Sequence, residues 1–380
     1  MRYKELDGLR GIAALSVYFS HLIGVFVINS SIFDYLSNSP FHILWHGEAA
    51  VTLFFLLSGF VLTLPYIKNP VDLNMASFYL KRIFRIYPAF IFAVLLCIFL
   101  NFFLYDSSQL TGYSDWINEF WKWDIKEISN AEFFNTFILA GFTFNTKLFD
   151  PVIGTLRTEM IISFVLPFLI FIVLRLKLAF NLLFLFLLFF VGKDTLGIFY
   201  LGTIMAIFRN DILDYVNSKS KPFYTIIFFV TASILYTSRF SLNFIFGNQD
   251  KSILLMSILG CVFFLILAMK NGFFSYILNT WAIQFLGKIS YSLYLLHFPI
   301  LLIVCSYTPA NVYLVFPISL IVTLLVSHLV YKFIELPFIQ LGKRIQTQRL
   351  DVISNIFFKG LSIFDLRTIV NLKNVILKKQ

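Results

Sequence analysis

Several polar residues lie inside or beside long apolar stretches, where an ionisable group costs free energy and needs a reason. His21 follows Arg10 by eleven positions. At about 100° per residue this is within ~20° of whole turns, so both share one helix face, ~16 Å apart along the axis. An imidazole exchanges a proton near neutral pH, as a general base must. The plainer reading is a histidine hydrogen-bonded between helices. A second group is Lys81-Arg82-Ile83-Phe84-Arg85-Ile86-Tyr87-Pro88. Arg82 and Arg85, three apart, are neighbours on one face. Two such charges repel unless an anion bridges them, and a phosphate fits the guanidinium fork. The competing reading is an ordinary positive anchor at a membrane surface.

Glu48 stands near the start of an apolar run that also holds Ser58 and Gly59. A carboxylate there is affordable at the outer interface, and the small residues permit close helix approach. Arg157 and Glu159 are too close in sequence to face each other on a helix. Each therefore needs a partner elsewhere, in a polar cavity open to the outside. Ser290, Tyr294 and His297 fall at i, i+4 and i+7 on one helix face, a polar stripe expected to look into a bundle. Glu335, near Lys332, closes the last apolar run as an ion-pair partner or a catalyst, and His328 has no aligned polar neighbour. The chain has no GxSxG elbow, HExxH pair, Walker loop or CxxC, which weighs against a serine hydrolase, a zinc protease and an ATP-driven pump. Cys97, Cys261 and Cys305 have neither metal-ligand nor disulfide spacing and read as core filling. No metal is expected.

The elements that carry these residues follow from composition. Of 380 residues, 59% are hydrophobic and 13% charged, where soluble domains hold roughly half and a quarter. An all-α, polytopic membrane protein is expected, with about ten apolar runs near the length that crosses a bilayer. They fall at 10–29, 48–66, 87–105, 157–174, 178–192, 195–208, 222–238, 252–269, 286–306 and 311–333. The pair at 178–208 is short and reads as two spans or one broken, re-entrant element. Arg2 and Lys4 precede an apolar stretch, but without a small-x-small cleavage site the stretch reads as a retained first span.

The net charge of +10 does not imply nucleic acid, because no soluble basic face carries stacking aromatics. The Lys and Arg instead sit between the apolar runs and set orientation. With both termini cytoplasmic, only Lys122, Lys126, Lys147, Arg157, Lys193, Arg239 and Lys251 of the 30 basic residues face outward. Residues 106–151 form the one long outer connection, with Trp116, Trp121, Trp123, Phe133 and Phe134. Such residues read as interfacial anchors, or more sharply as a platform for a sugar ring. A membrane unit over 1–338 and a basic amphipathic cytoplasmic tail over 339–380 are expected, the tail lying on the inner surface.

Taken in order, the motifs resemble the acyltransferase 3 family over about residues 3–338. They are Leu6-Asp7-Gly8-Leu9-Arg10-Gly11 with His21, Phe54-Phe55-x-x-Ser58-Gly59-Phe60, Arg82-x-x-Arg85-Ile86-Tyr87-Pro88, and Ile289-Ser290-Tyr291-Ser292-x-Tyr294-Leu295-x-His297. The resemblance implies a ten-helix enzyme of the bacterial inner membrane. Such an enzyme moves an acetyl or other acyl group from cytoplasmic acetyl-coenzyme A to a hydroxyl of a surface or lipid-linked glycan. It implies that Arg10, His21 and Glu159 are catalytic and that Arg82 and Arg85, with Lys81 beside them, hold the donor phosphates. Ser58, Glu48, Tyr294 and His297 are then expected along the substrate cavity. Two positions depart from the family pattern: the approach to Glu159 reads Gly154-Thr155-Leu156 without its Trp, and Thr52-Leu53 stands where an Asp often precedes Phe54-Phe55. No hydrolase-like domain is expected after the tail. His21 would act as base on the acceptor hydroxyl or carry the acyl group transiently. A proton-coupled transporter or flippase is the rival reading, disfavoured by the lack of visible repeats and of matched helix breaks.

Overall fold

A computed structural model describes residues 3–68, 75–121, 152–218, 222–242, 251–270 and 272–345. Among them the secondary structure is helical, without strands. The principal helices are α1 (Lys4–Gly24), α2 (Gly47–Lys68), α3 (Met75–Phe103), α4 (Ile153–Arg175), α5 (Leu178–Phe190), α6 (Asp194–Ile207), α7 (Arg209–Ser218), α8 (Pro222–Tyr236), α9 (Lys251–Met269), α10 (Phe273–Leu278), α11 (Trp281–Tyr307) and α12 (Val312–Val330). Six helical stretches are long and apolar enough to cross a membrane, or up to seven if the bent pair α6 and α7 is one span. The chain is a multi-pass membrane protein.

Glycine decides the closest crossings. A Cβ on Gly11 would lie 2.5 Å from the Gly287 nitrogen, and one on Gly287 would lie 2.3 Å from the Asp7 carbonyl oxygen. Removing those side chains lets α1 and α11 touch backbone to backbone, as small residues do between membrane helices. The pair is parallel, since positions 7–11 meet 287 and His21 meets His297. At one end Glu5 accepts from Ser275 and Asn279, and Gln284 donates to the Lys4 carbonyl. At the other, Ser114 donates to the Gly24 carbonyl and Tyr113 to that of Thr308. A second close pair joins α2 to α6, where Gly59 meets Phe199 and Gly202 meets Leu56. Beside them Thr63 donates to Thr203 at 3.3 Å.

Some boundaries differ from the hydropathy pattern. The first helix starts at Lys4 and stops at Gly24, although apolar residues continue through Ile28. The Val25 carbonyl instead accepts from the Ser114 backbone N–H, and Ser30 caps the short helix Ser31–Ser37. The third helix begins at Met75, so the Lys81–Pro88 motif lies within it rather than at its mouth. The stretch 178–208 resolves into two helices packed as a hairpin, with Tyr200 donating to Asn181 at 2.5 Å. The break falls one element later, as a 69° bend between α6 and α7. After α12 a π-helical turn, Tyr331–Glu335, carries the chain into a helix ending at Ile345. Trp123, Phe133, Phe134 and the tail beyond Ile345 lie outside the described residues.

Candidate active site

Five helices enclose a cavity of about 70 Å³. Arg10 comes from α1, Phe54, Phe55 and Ser58 from α2, and Arg82, Arg85 and Ile86 from α3. Thr155, Leu156 and Glu159 come from α4, and Ser290, Tyr291 and Tyr294 from α11. Helical spacing explains each contribution: Arg82 and Arg85 share a face, as do Ser290 and Tyr294, while Arg157 points away from Glu159 and is absent from the lining.

Glu159 is the centre of this cavity. Arg82 Nη2 donates to its Oε1 at 2.8 Å and to Ser163 Oγ at 2.6 Å. Ser58 Oγ donates to the same carboxylate oxygen at 3.2 Å. Ser163, one turn on, donates to the Glu159 carbonyl at 2.7 Å and so braces the pair. Arg10 lies within electrostatic range of Glu159, Arg82 and Arg85. Three guanidiniums against one lining carboxylate leave the cavity positive, and the buried Nε of Arg82 has no hydrogen-bond partner. Such a set suits an anionic ligand, because an unmatched buried cation costs several kcal/mol, about 3 or more. Glu335, 1% exposed in the π-helical turn, accepts from Ser292 at 2.9 Å and lies within range of Arg85.

A second polar centre lies one helical turn beyond Tyr294. His21 Nδ1 and His297 Nε2 are 2.7 Å apart, with the rings stacked at a centroid distance of 5.0 Å. Trp116 stacks on His21 at 5.7 Å and 17°, so the imidazole stands among His297, Trp116 and the edge-on ring of Phe298. The Trp116 segment is held down by Ser114 on Gly24 and by Tyr113 on Thr308 and Pro309. Tyr294 joins the two centres, since it lines the cavity and its ring is 5.9 Å from that of His297.

Of the residues singled out in the sequence, Arg10, Ser58, Arg82, Arg85, Glu159, Ser290 and Tyr294 meet at the cavity. His21 and His297 pair just beyond its lining. Lys81 is exposed and does not line it. Nor does Glu48, which is ion-paired with Arg239 at an exposed end of α2. The brace Ser163 carries no sequence signal, being an ordinary polar residue on an apolar helix, while Thr155 and Tyr291 stand in the quoted motifs without a site role there. Trp116 was visible only as part of an aromatic patch. Nothing in its spacing indicates that it covers His21.

The chain is a multi-pass helical protein whose paired histidines stand next to an arginine-rich cavity. The model of the acyltransferase domain, acyltransferase 3, matches residues 3–332, and the chain belongs to that family. O-acetyltransferase OatA of Staphylococcus aureus strain NCTC 8325 / PS 47 is 26% identical over 375 residues, covering 87% of this chain and 56% of that protein. OatA of strain COL gives the same figures. The chain thus spans a little over half the length of these relatives. No solved structure matches it.

Proposed function

We propose that the chain transfers an acetyl group from acetyl-coenzyme A to a hydroxyl of an extracytoplasmic or lipid-linked glycan, with His21 as the proton-handling residue. One observation carries this reading: a histidine pair is linked through Tyr294 to a cavity holding three arginines and one carboxylate. The arginines supply what a phosphorylated donor needs, charge-assisted bonds to anionic oxygens. The cavity is smaller than the ~300–1,000 Å³ of drug-sized ligand sites. It therefore suits the reactive arm or a single phosphate of the donor, the remainder lying outside it. The donor, when bound, supplies the acyl thioester. His21 Nε2, the ring nitrogen that His297 does not engage, takes the acceptor hydroxyl's proton as the new C–O bond forms and returns it to the thiolate as the C–S bond breaks. The same nitrogen would be the site of acylation if the group is relayed through His21. Glu159 holds Arg82 in place through the bonds described above.

Placement in the inner membrane, about ten crossings and cytoplasmic termini complete the reading. The parallel α1 and α11 support an arrangement in which that pair crosses in one direction. Arg10 would then lie toward the cytoplasmic donor and His21 toward the outer acceptor. OatA of Staphylococcus aureus is named an O-acetyltransferase, which supports acetyl as the group and oxygen as its destination.

The test is to incubate membranes bearing the protein with labelled acetyl-coenzyme A and follow label into glycan. His21→Ala should abolish the incorporation without loss of folded protein. Normal incorporation by that variant would sink the assignment, and movement of an intact solute without acetylation would point to a transporter instead.

A further inference from the structure

The hydrogen bonds around the histidine pair fix where its protons sit. His297 Nδ1 lies 3.1 Å from the Leu293 carbonyl oxygen, which can only accept, so Nδ1 carries a hydrogen. His297 has no surface exposed to water, and no carboxylate is among its hydrogen-bond partners. A charged ring there would be an unpaired buried cation, so the ring is neutral and its Nε2 bears a lone pair. The 2.7 Å contact between that Nε2 and His21 Nδ1 needs one proton, and His21 must supply it. His21 is then the Nδ1–H tautomer, and its Nε2 is left as the basic nitrogen.

From this geometry we infer that His297 is a positioning residue: anchored on the Leu293 carbonyl, it fixes the tautomer and ring orientation of His21 and so directs Nε2 at the reacting hydroxyl. The arrangement is a relay from backbone carbonyl to His297 to His21, with a neutral imidazole in the place that a carboxylate takes in serine hydrolases. Trp116, stacked on His21, and Phe298, edge-on to it, restrict the same ring from other sides. Proton transfer during turnover stays balanced. The hydroxyl proton arrives at His21 Nε2, Nδ1–H stays bonded to His297, and the proton on Nε2 leaves with the departing thiol.

This inference rests on His21 acting as proposed above, but its direct readout does not. With uniformly ¹⁵N-labelled histidine, the five histidines can be assigned by single substitutions in detergent-solubilised protein. Wild type should show His21 with a protonated Nδ1 and a bare Nε2. His297→Leu should shift the tautomer mixture towards Nε2–H and lower kcat by about 100-fold or more, as wrong-tautomer variants of catalytic histidines do. KM for acetyl-coenzyme A should change less than about twofold, because the donor site is not touched. In His297→Gln the side-chain oxygen accepts the same bond, so at least about tenfold of kcat should return. A wild-type His21 protonated on Nε2 would overturn the inference. So would a folded His297→Leu protein with unchanged tautomer and kcat, or His297→Gln no better than His297→Leu. If wild type transfers no acetyl group, the functional reading fails, while the nitrogen spectrum still decides the role of His297.

Discussion

At the scale of single residues, the ion pair between Arg82 and Glu159 joins the fold to the proposed donor site. Both partners are largely shielded from water. Breaking such a pair from one side leaves an uncompensated charge, at about 3–5 kcal/mol. Glu159→Leu and Arg82→Leu should therefore each lower the melting temperature of purified protein. The double variant should be more stable than either single one, although inactive. Additive losses in that cycle would mean that the two side chains do not depend on each other. Arg85 tests the donor role with less structural consequence. A charge-assisted hydrogen bond is worth about 1.5–3 kcal/mol, so Arg85→Ala should raise KM for acetyl-coenzyme A by about tenfold or more. Unchanged donor affinity in calorimetry would count against it. Lys81→Ala, at an exposed position outside the lining, should change donor affinity far less.

Among the elements, the α1–α11 crossing determines whether the two centres form at all. Gly11→Leu would force a side chain into the Gly287 backbone, 2.5 Å from where its Cβ must go. The helices would separate, and His21 would lose His297 together with its activity. A variant with full activity and an unchanged melting temperature would contradict this. The connection between α1 and α2 should respond to acid. His42, stacked on Phe240, is held down to about 4, and His46 to about 3, in both cases chiefly by burial. Each therefore binds fewer protons in the folded state than in the unfolded chain, where a histidine titrates near ~6.5. Their contribution is complete above that value and is lost as pH falls toward 4 and 3. Hydrogen exchange over residues 31–46, corrected for intrinsic rate, should rise between pH 7 and pH 4.5. His42→Phe should blunt the rise.

For the whole molecule, the arrangement predicts which ends share a side of the membrane. The native cysteines Cys97, Cys261 and Cys305 are all buried, so an added cysteine gives a clean signal in intact cells. Ser39→Cys and Thr308→Cys should react with a membrane-impermeant maleimide. Tyr276→Cys, at an exposed position of α10, should react only after permeabilisation. Reaction of Tyr276→Cys in intact cells would refute the cytoplasmic placement of the α10 end. The separation has a consequence for function, because the arginines and the histidine pair occupy successive depths of one bundle. If the donor binds at the arginines as proposed, donor and acceptor would approach from opposite sides without sharing an aqueous phase.

Membrane residence and helical class were legible in the sequence, because a bilayer leaves few ways to satisfy a backbone and imposes a length on each apolar run. So were Arg10, Ser58, Arg82, Arg85, Glu159 and Tyr294 as members of a polar interior, since each is a costly group that apolar neighbours cannot explain. Helical spacing placed Ser290, Tyr294 and His297 on one stripe, but it could not say what the stripe meets. Only tertiary structure decided that His297 pairs with His21, since the two are separated by 276 positions and the pairing depends on a glycine crossing. It also decided that Glu48 goes to Arg239 rather than to the cavity, and that Trp116 covers His21. Hydropathy gives the depth of a residue, whereas partners across helices depend on rotation and close approach, which a one-dimensional pattern does not contain.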